Sequence, residues 1–135
     1  MMVRHSTEFF QALDDFIGDR RELPFAWGSQ DCCNFAADWV QLVRGIDPMA
    51  DLRGLNSSMQ ANRAMIAAGG LLAAVTQRMG QPIVGTMAQV GDVALVRHSA
   101  GLRSMGVCLG PYVTAPGVAG LLMLSITHAE AAWRV

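Results

Sequence analysis

The chain changes texture at Pro82, and that change constrains its fold more than any other feature. Before it, apolar residues recur at helical spacing. Phe9, Phe10, Leu13, Phe16 and Ile17 form a stripe behind Ser6 or Thr7 as cap, with Glu8 near the positive helix end and Gly18 as the stop. Asp31 is the natural N-cap of a second apolar helix that runs to about Arg44 and stops at Gly45. Asp47-Pro48 suits a short helix, Ser57 or Ser58 opens another through Ala68, and Gly69-Gly70 separates it from a helical stretch ending near Gly80. After Pro82 come β-type runs over 92–97, 105–109, 112–114, 121–126 and 132–135. Helices first and strands second predict an α+β fold, N-terminal helices packed on a C-terminal antiparallel sheet. No repeat, linker or low-complexity tract divides the chain, so residues 1–135 read as a single domain.

A chain of 135 residues can bury roughly two-thirds of its unfolded surface and needs no staple. Hydrophobic residues make up 52% and the mean hydropathy is +0.30, yet 64–75 and 113–126 are broken by Gly and Pro and fall short of the roughly 20 apolar residues of a membrane span. The N-terminus lacks a secretory apolar stretch, so the expected site of synthesis is the cytoplasm, with a later place in a virion tail left open. Net charge is −1 and the ten basic residues, all Arg, are scattered, which argues against a nucleic-acid partner. Three cysteines, two of them adjacent, give no disulfide framework and are expected as free thiols.

The segment from Pro24 to Val40 carries the chemistry. If Asp31 caps the helix, Cys32 lies in its first turn, where unpaired N–H groups and the helix dipole favour thiolate. Cys32 also lines up with Phe35, Ala36, Trp39 and Val43, so the face beneath the thiol would be buried and the thiol held rigidly. The same pattern equally describes a core helix that happens to contain cysteine.

Trp27-Gly28, a short spacer, Asp31-Cys32 and an aromatic seven residues after the Cys resemble the nucleophile segment of the NlpC-type papain-like cysteine peptidases, bacterial and phage enzymes that cut peptidoglycan peptides. Gln89-Val90-Gly91-Asp92-Val93 is similar to that family's Gly-Asp turn into a strand, and Met105-Gly106-Val107 to the strand that follows. Asp31-Cys32-Cys33 together with the Gly91-Asp92-Val93 strand and a terminal Ala132-Trp133-Arg134-Val135 run resembles a group encoded in phages and prophages. The resemblance implies a papain-like fold, Cys32 as nucleophile, and phage tail proteins or a peptidoglycan peptide as partner.

The chain departs from the family at two points. The family's base is a His at the start of the second strand, and the position that lines up is Ser104, which cannot take a proton from a thiol at neutral pH. Phe25 stands where the family usually has an oxyanion-site Tyr. His98 is the candidate substitute base, placed at the tip if its two strands form a hairpin; His5 and His128 read as surface or capping residues. Ser104, Gly106, Cys108 and Gly110 share one strand face by period two, a small-residue face on which the Cys32 helix is expected to pack. Adjacent cysteines lack chelating spacing, and an Asp in a Gly-Asp turn commonly bonds its own backbone, so no metal and no cofactor is assigned. Two readings stay open: a divergent domain with lost or weak peptidase activity, whose thiol would titrate near or above a free Cys, and a working peptidase with an unorthodox base.

Overall fold

The computed structural model describes residues 1–135, the side chain of Ala100 excepted. Four α-helices, α1 (Thr7–Arg20), α2 (Cys32–Arg44), α3 (Ser58–Ala68) and α4 (Leu71–Met79), precede six strands: β1 (Ile83–Val84), β2 (Val93–Arg97), β3 (Arg103–Cys108), β4 (Tyr112–Gly117), β5 (Gly120–Ser125) and β6 (Ala129–Trp133). The strands form one antiparallel sheet in the order β1-β6-β2-β3-β4-β5. This is the α+β arrangement read from the chain's change of texture.

Local chemistry sets the helix ends. Ser6, Asp31 and Ser57 each accept a hydrogen bond from the N–H three residues on, at Phe9, Asn34 and Gln60. Gly45 and Gly69 close α2 and α3 in the left-handed conformation. Gly18 does not stop α1, contrary to expectation: the helix runs two residues further, to Arg20. A helical Gly costs about 1 kcal/mol against Ala, and the last turn is tied down by Arg20, which pairs with Asp38 at 2.7 Å and lies 4.5 Å over the Phe16 ring. The short helix expected at Asp47-Pro48 is a single 3-10 turn at Ala50–Leu52, and β1 was not anticipated.

The helices lie on one face of the sheet. Strand residues alternate, so Val93 and Leu95 of β2 with Met105 and Val107 of β3 meet Phe35, Ala36, Trp39 and Val43 of α2 in the main core. Phe9, Phe16, Phe35 and Trp39 form an aromatic group at centroid distances of 5.1–5.6 Å, and Trp39 donates its indole N–H to Gly91 O at 2.8 Å. Ala94 and Val96 point the other way, into a smaller core with Val113 and Ala132.

This alternation corrects the expectation for the small-residue face. The Cys32 helix packs on Met105 and Val107, not on Gly106 and Cys108. A Cβ on Gly106 would fall 2.3 Å from Thr114 O and 2.7 Å from the Val113 side chain, so the small residue there admits β4, which folds across the opposite face.

Asp92, at the start of β2, does more than bond its own turn. Its buried carboxylate accepts from Gln89 N–H at 2.8 Å and Val135 N–H at 3.2 Å, and it is paired with Arg4 and Arg134. One side chain thus ties both ends of the chain to the sheet.

Candidate active site

Cys32 is the first residue of α2, and the loop before it is built to hold that helix end. Asp31 is buried, with Oδ1 accepting from Asn34 N–H at 2.9 Å and Oδ2 from Gly28 N–H and the Asn34 side-chain amide, each at 2.8 Å. Gly28 adopts φ +86°, and a Cβ there would come within 3.2 Å of Asn56, so the turn after Trp27 suits glycine on both counts. Asn34 passes the arrangement on, accepting from Arg53 Nη1 at 2.6 Å, while Arg53 also holds Asp38 at 2.8 Å and Asp47 at 2.9 Å. Asn34 and Arg53 were missed in the sequence. The third helical position after an Asp cap was a readable signal for Asn34. Arg53 reaches it across 19 residues and had no local signal.

The two adjacent thiols are not equivalent. The Cys33 thiol donates to the Cys32 sulfur and the Met105 N–H also reaches it, so despite burial and the nearby Asp31 charge Cys32 is pulled below the ordinary thiol range. Cys33 is pushed well above that range, first by this hydrogen bond and then by burial. The pair therefore loses its first proton from Cys32. Cys108 is buried at the end of β3, with its thiol pushed up by burial.

Cys32 and Ser104 line a common cavity of about 250 Å³ beneath α3. β2 and β3 form a hairpin in which Val96 pairs with Ser104 and His98 lies beyond the last pair, at the tip. From there the imidazole folds back, bringing Nε2 2.9 Å from Ser104 Oγ. His98 is absent from the cavity's lining, so its side chain contacts the residue at the wall rather than the space itself. The other histidines lie elsewhere: His5 bonds Val90 O at 2.8 Å and stacks on Phe10, and His128 is exposed in the turn before β6. Phe25 borders the cavity with its ring edge-on to Trp27 at 4.8 Å, offering no hydroxyl. Three larger hollows, two of about 710 and 600 Å³ along α1 and one of about 390 Å³ between Met1–Arg4 and the end of α2, contain neither thiol nor imidazole.

The hairpin, the helix N-terminus and the thiol are thus brought together in one α+β domain. The fold is similar to that in the crystal structure of the NlpC/p60 domain of the peptidoglycan hydrolase SagA, with a TM-score of 0.57 and 18% identity over 93% of this chain and 97% of that one. The chain belongs to the family described as Domain of unknown function (DUF6950), whose model matches residues 4–135. No curated protein matches it.

Proposed function

We propose that this protein is a divergent NlpC-like domain in which Cys32 remains a nucleophile but peptidase turnover is lost or weak. The observation that carries the reading is the 2.9 Å bond from His98 to Ser104: the nearest imidazole stops one residue short of the Cys32 cavity. A thiolate formed by its surroundings needs no base in order to attack. An amide, however, must have its leaving nitrogen protonated, and serine is far too weak an acid for that task. Activated esters leave without a proton. The substrate class, a peptide of peptidoglycan, is taken from the sequence resemblance, and SagA's description as a peptidoglycan hydrolase supports the peptidoglycan part of it. The setting, a phage or prophage tail or tail tip, rests on the Asp31-Cys32-Cys33 and 132–135 resemblance alone.

The experiment is a comparison of two substrates. A 4-nitrophenyl ester is expected to leave one acyl group on Cys32, visible by intact mass and absent from Cys32→Ala. Peptidoglycan stem peptides are expected to show no turnover above the Cys32→Ala blank. The second reading, a working peptidase in which His98 acts through the Ser104 hydroxyl, is favoured by the same hydrogen bond. Peptide turnover lost equally in Cys32→Ala, Ser104→Ala and His98→Ala would establish it and refute the first.

A further inference from the structure

The cavity beside Cys32 has a polar side whose members are not equally committed. Asn34 donates to Asp31 and accepts from Arg53, and Ser104 is bonded to His98. Arg103, the first residue of β3, lines the same cavity and is 38% exposed. It lies two residues before Met105, whose N–H reaches the Cys32 sulfur. One short stretch of β3 therefore carries both a backbone donor to the thiol and a guanidinium.

The charge of that guanidinium is not cancelled. Its counter-ion is Glu130, at 3.0 Å, and Glu130 also accepts a hydrogen bond from Arg97 at 2.7 Å. One carboxylate between two guanidinium groups leaves a positive charge over. Arg97 has the aligned bond, whereas among the described residues the Arg103 side chain makes the ion pair and no aligned hydrogen bond. Glu130 is only 25% exposed, but Arg97 would still hold it if Arg103 turned to a ligand, so no buried charge would be stranded. A guanidinium offers five N–H donors in a plane, which suits a carboxylate taken two bonds at a time. Asp31 is the other charged side chain, besides the thiols, among the described lining residues, and three N–H donors hold it at the start of α2. Its negative charge disfavours a second carboxylate there and confines an incoming one to the Arg103 end.

We propose that Arg103 binds a free carboxylate of the peptide entering the Cys32 cavity, which makes the site selective for acidic peptides. This deepens the peptidoglycan-peptide reading and rests on it.

The test is Cys32 alkylation by iodoacetate and by iodoacetamide, followed by site-resolved mass spectrometry, with the ratio of the two rates divided by the same ratio for free N-acetylcysteine. The ratio cancels any change in the thiol itself. Arg103→Gln is expected to lower it about three- to tenfold, the worth of one unit charge several Å away in a partly solvated site. Arg103→Lys should restore most of the loss, and Glu130→Gln should raise the ratio above wild type. A ratio that Arg103→Gln leaves unmoved overturns the proposal. The peptide arm uses N-acetyl-alanyl-glutamic acid amide, expected to protect Cys32 from iodoacetamide in wild type and not in Arg103→Gln, and its glutamine counterpart, expected to protect neither. Equal protection by the two peptides, or by inorganic phosphate as well as by the acidic peptide, overturns the assignment to a peptide carboxylate. Failure of the nucleophile reading would show elsewhere, as a 4-nitrophenyl ester that leaves no acyl group on Cys32. If Cys32 resists both alkylating reagents, the Arg103 Nε–Hε NMR signal decides: the acidic peptide should shift it and the glutamine peptide should not, and no shift from either overturns the proposal.

Discussion

Ser104→His is expected to raise hydrolysis of peptidoglycan stem peptides by roughly 10²- to 10⁴-fold over the wild-type protein, the usual worth of a positioned general acid–base group. Ser104 lines the cavity that holds Cys32, and Met105, its neighbour in β3, already directs its N–H at the Cys32 sulfur. An imidazole at position 104 would therefore share a cavity with the thiol. His98 now bonds the serine hydroxyl and would crowd a larger side chain, so the double variant Ser104→His with His98→Ala is the cleaner form of the test. A gain in both variants, abolished by Cys32→Ala, supports the account. No gain in either, with the fold intact, means that the missing base is not what limits turnover.

The second large effect concerns stability. Asp92→Ala removes the acceptor of two backbone N–H groups and the partner of two guanidinium groups from a fully buried position. Arg4 and Arg134 are 28% and 43% exposed and can turn to water, so little of the cost lies with them. The buried N–H of Val135, the lost bond from Gln89 N–H and the space left behind set it at about 3 kcal/mol, which for a chain of this size lowers the melting temperature by about 10 °C. Arg134→Ala should cost under about 1 kcal/mol. Thermal unfolding of the two variants separates these values, and an Asp92→Ala protein as stable as Arg134→Ala would contradict the anchoring role.

What could be read from the sequence were features fixed by local chemistry. The Asp31 cap, the Gly45 and Gly69 stops and the alternation along β3 each depend on residues within one or two turns of one another, and each appears where the pattern put it. Gly18 misled because a glycine ends a helix only when nothing beyond it holds the turn, and Arg20 does so through Asp38, 18 residues away. The face on which α2 packs misled for a related reason: small residues on β3 looked like room for a helix, but β4 occupies that room after a turn that period-two reading cannot follow. At the site, Cys32 could be singled out by its place after the Asp31 cap, and Ser104 by the family resemblance. The side-chain fold-back of His98, the Arg53 to Asn34 contact and the roof formed by α3 required three dimensions.

The account turns on a reactive thiol without an imidazole to assist it, and the pH profile of Cys32 alkylation tests both halves. With iodoacetamide and site-resolved mass spectrometry, the rate at Cys32 should rise through a midpoint below the free-cysteine value of about 8.5 and then level off, because the lowered proton affinity leaves it largely thiolate before an ordinary thiol ionises. Cys33 should stay unmodified until well above that pH. His98→Ala should leave the Cys32 profile where it is. A Cys32 midpoint at or above that of free cysteine would contradict the reactive thiolate, and a midpoint that moves upward in His98→Ala would show that the imidazole reaches the thiol after all.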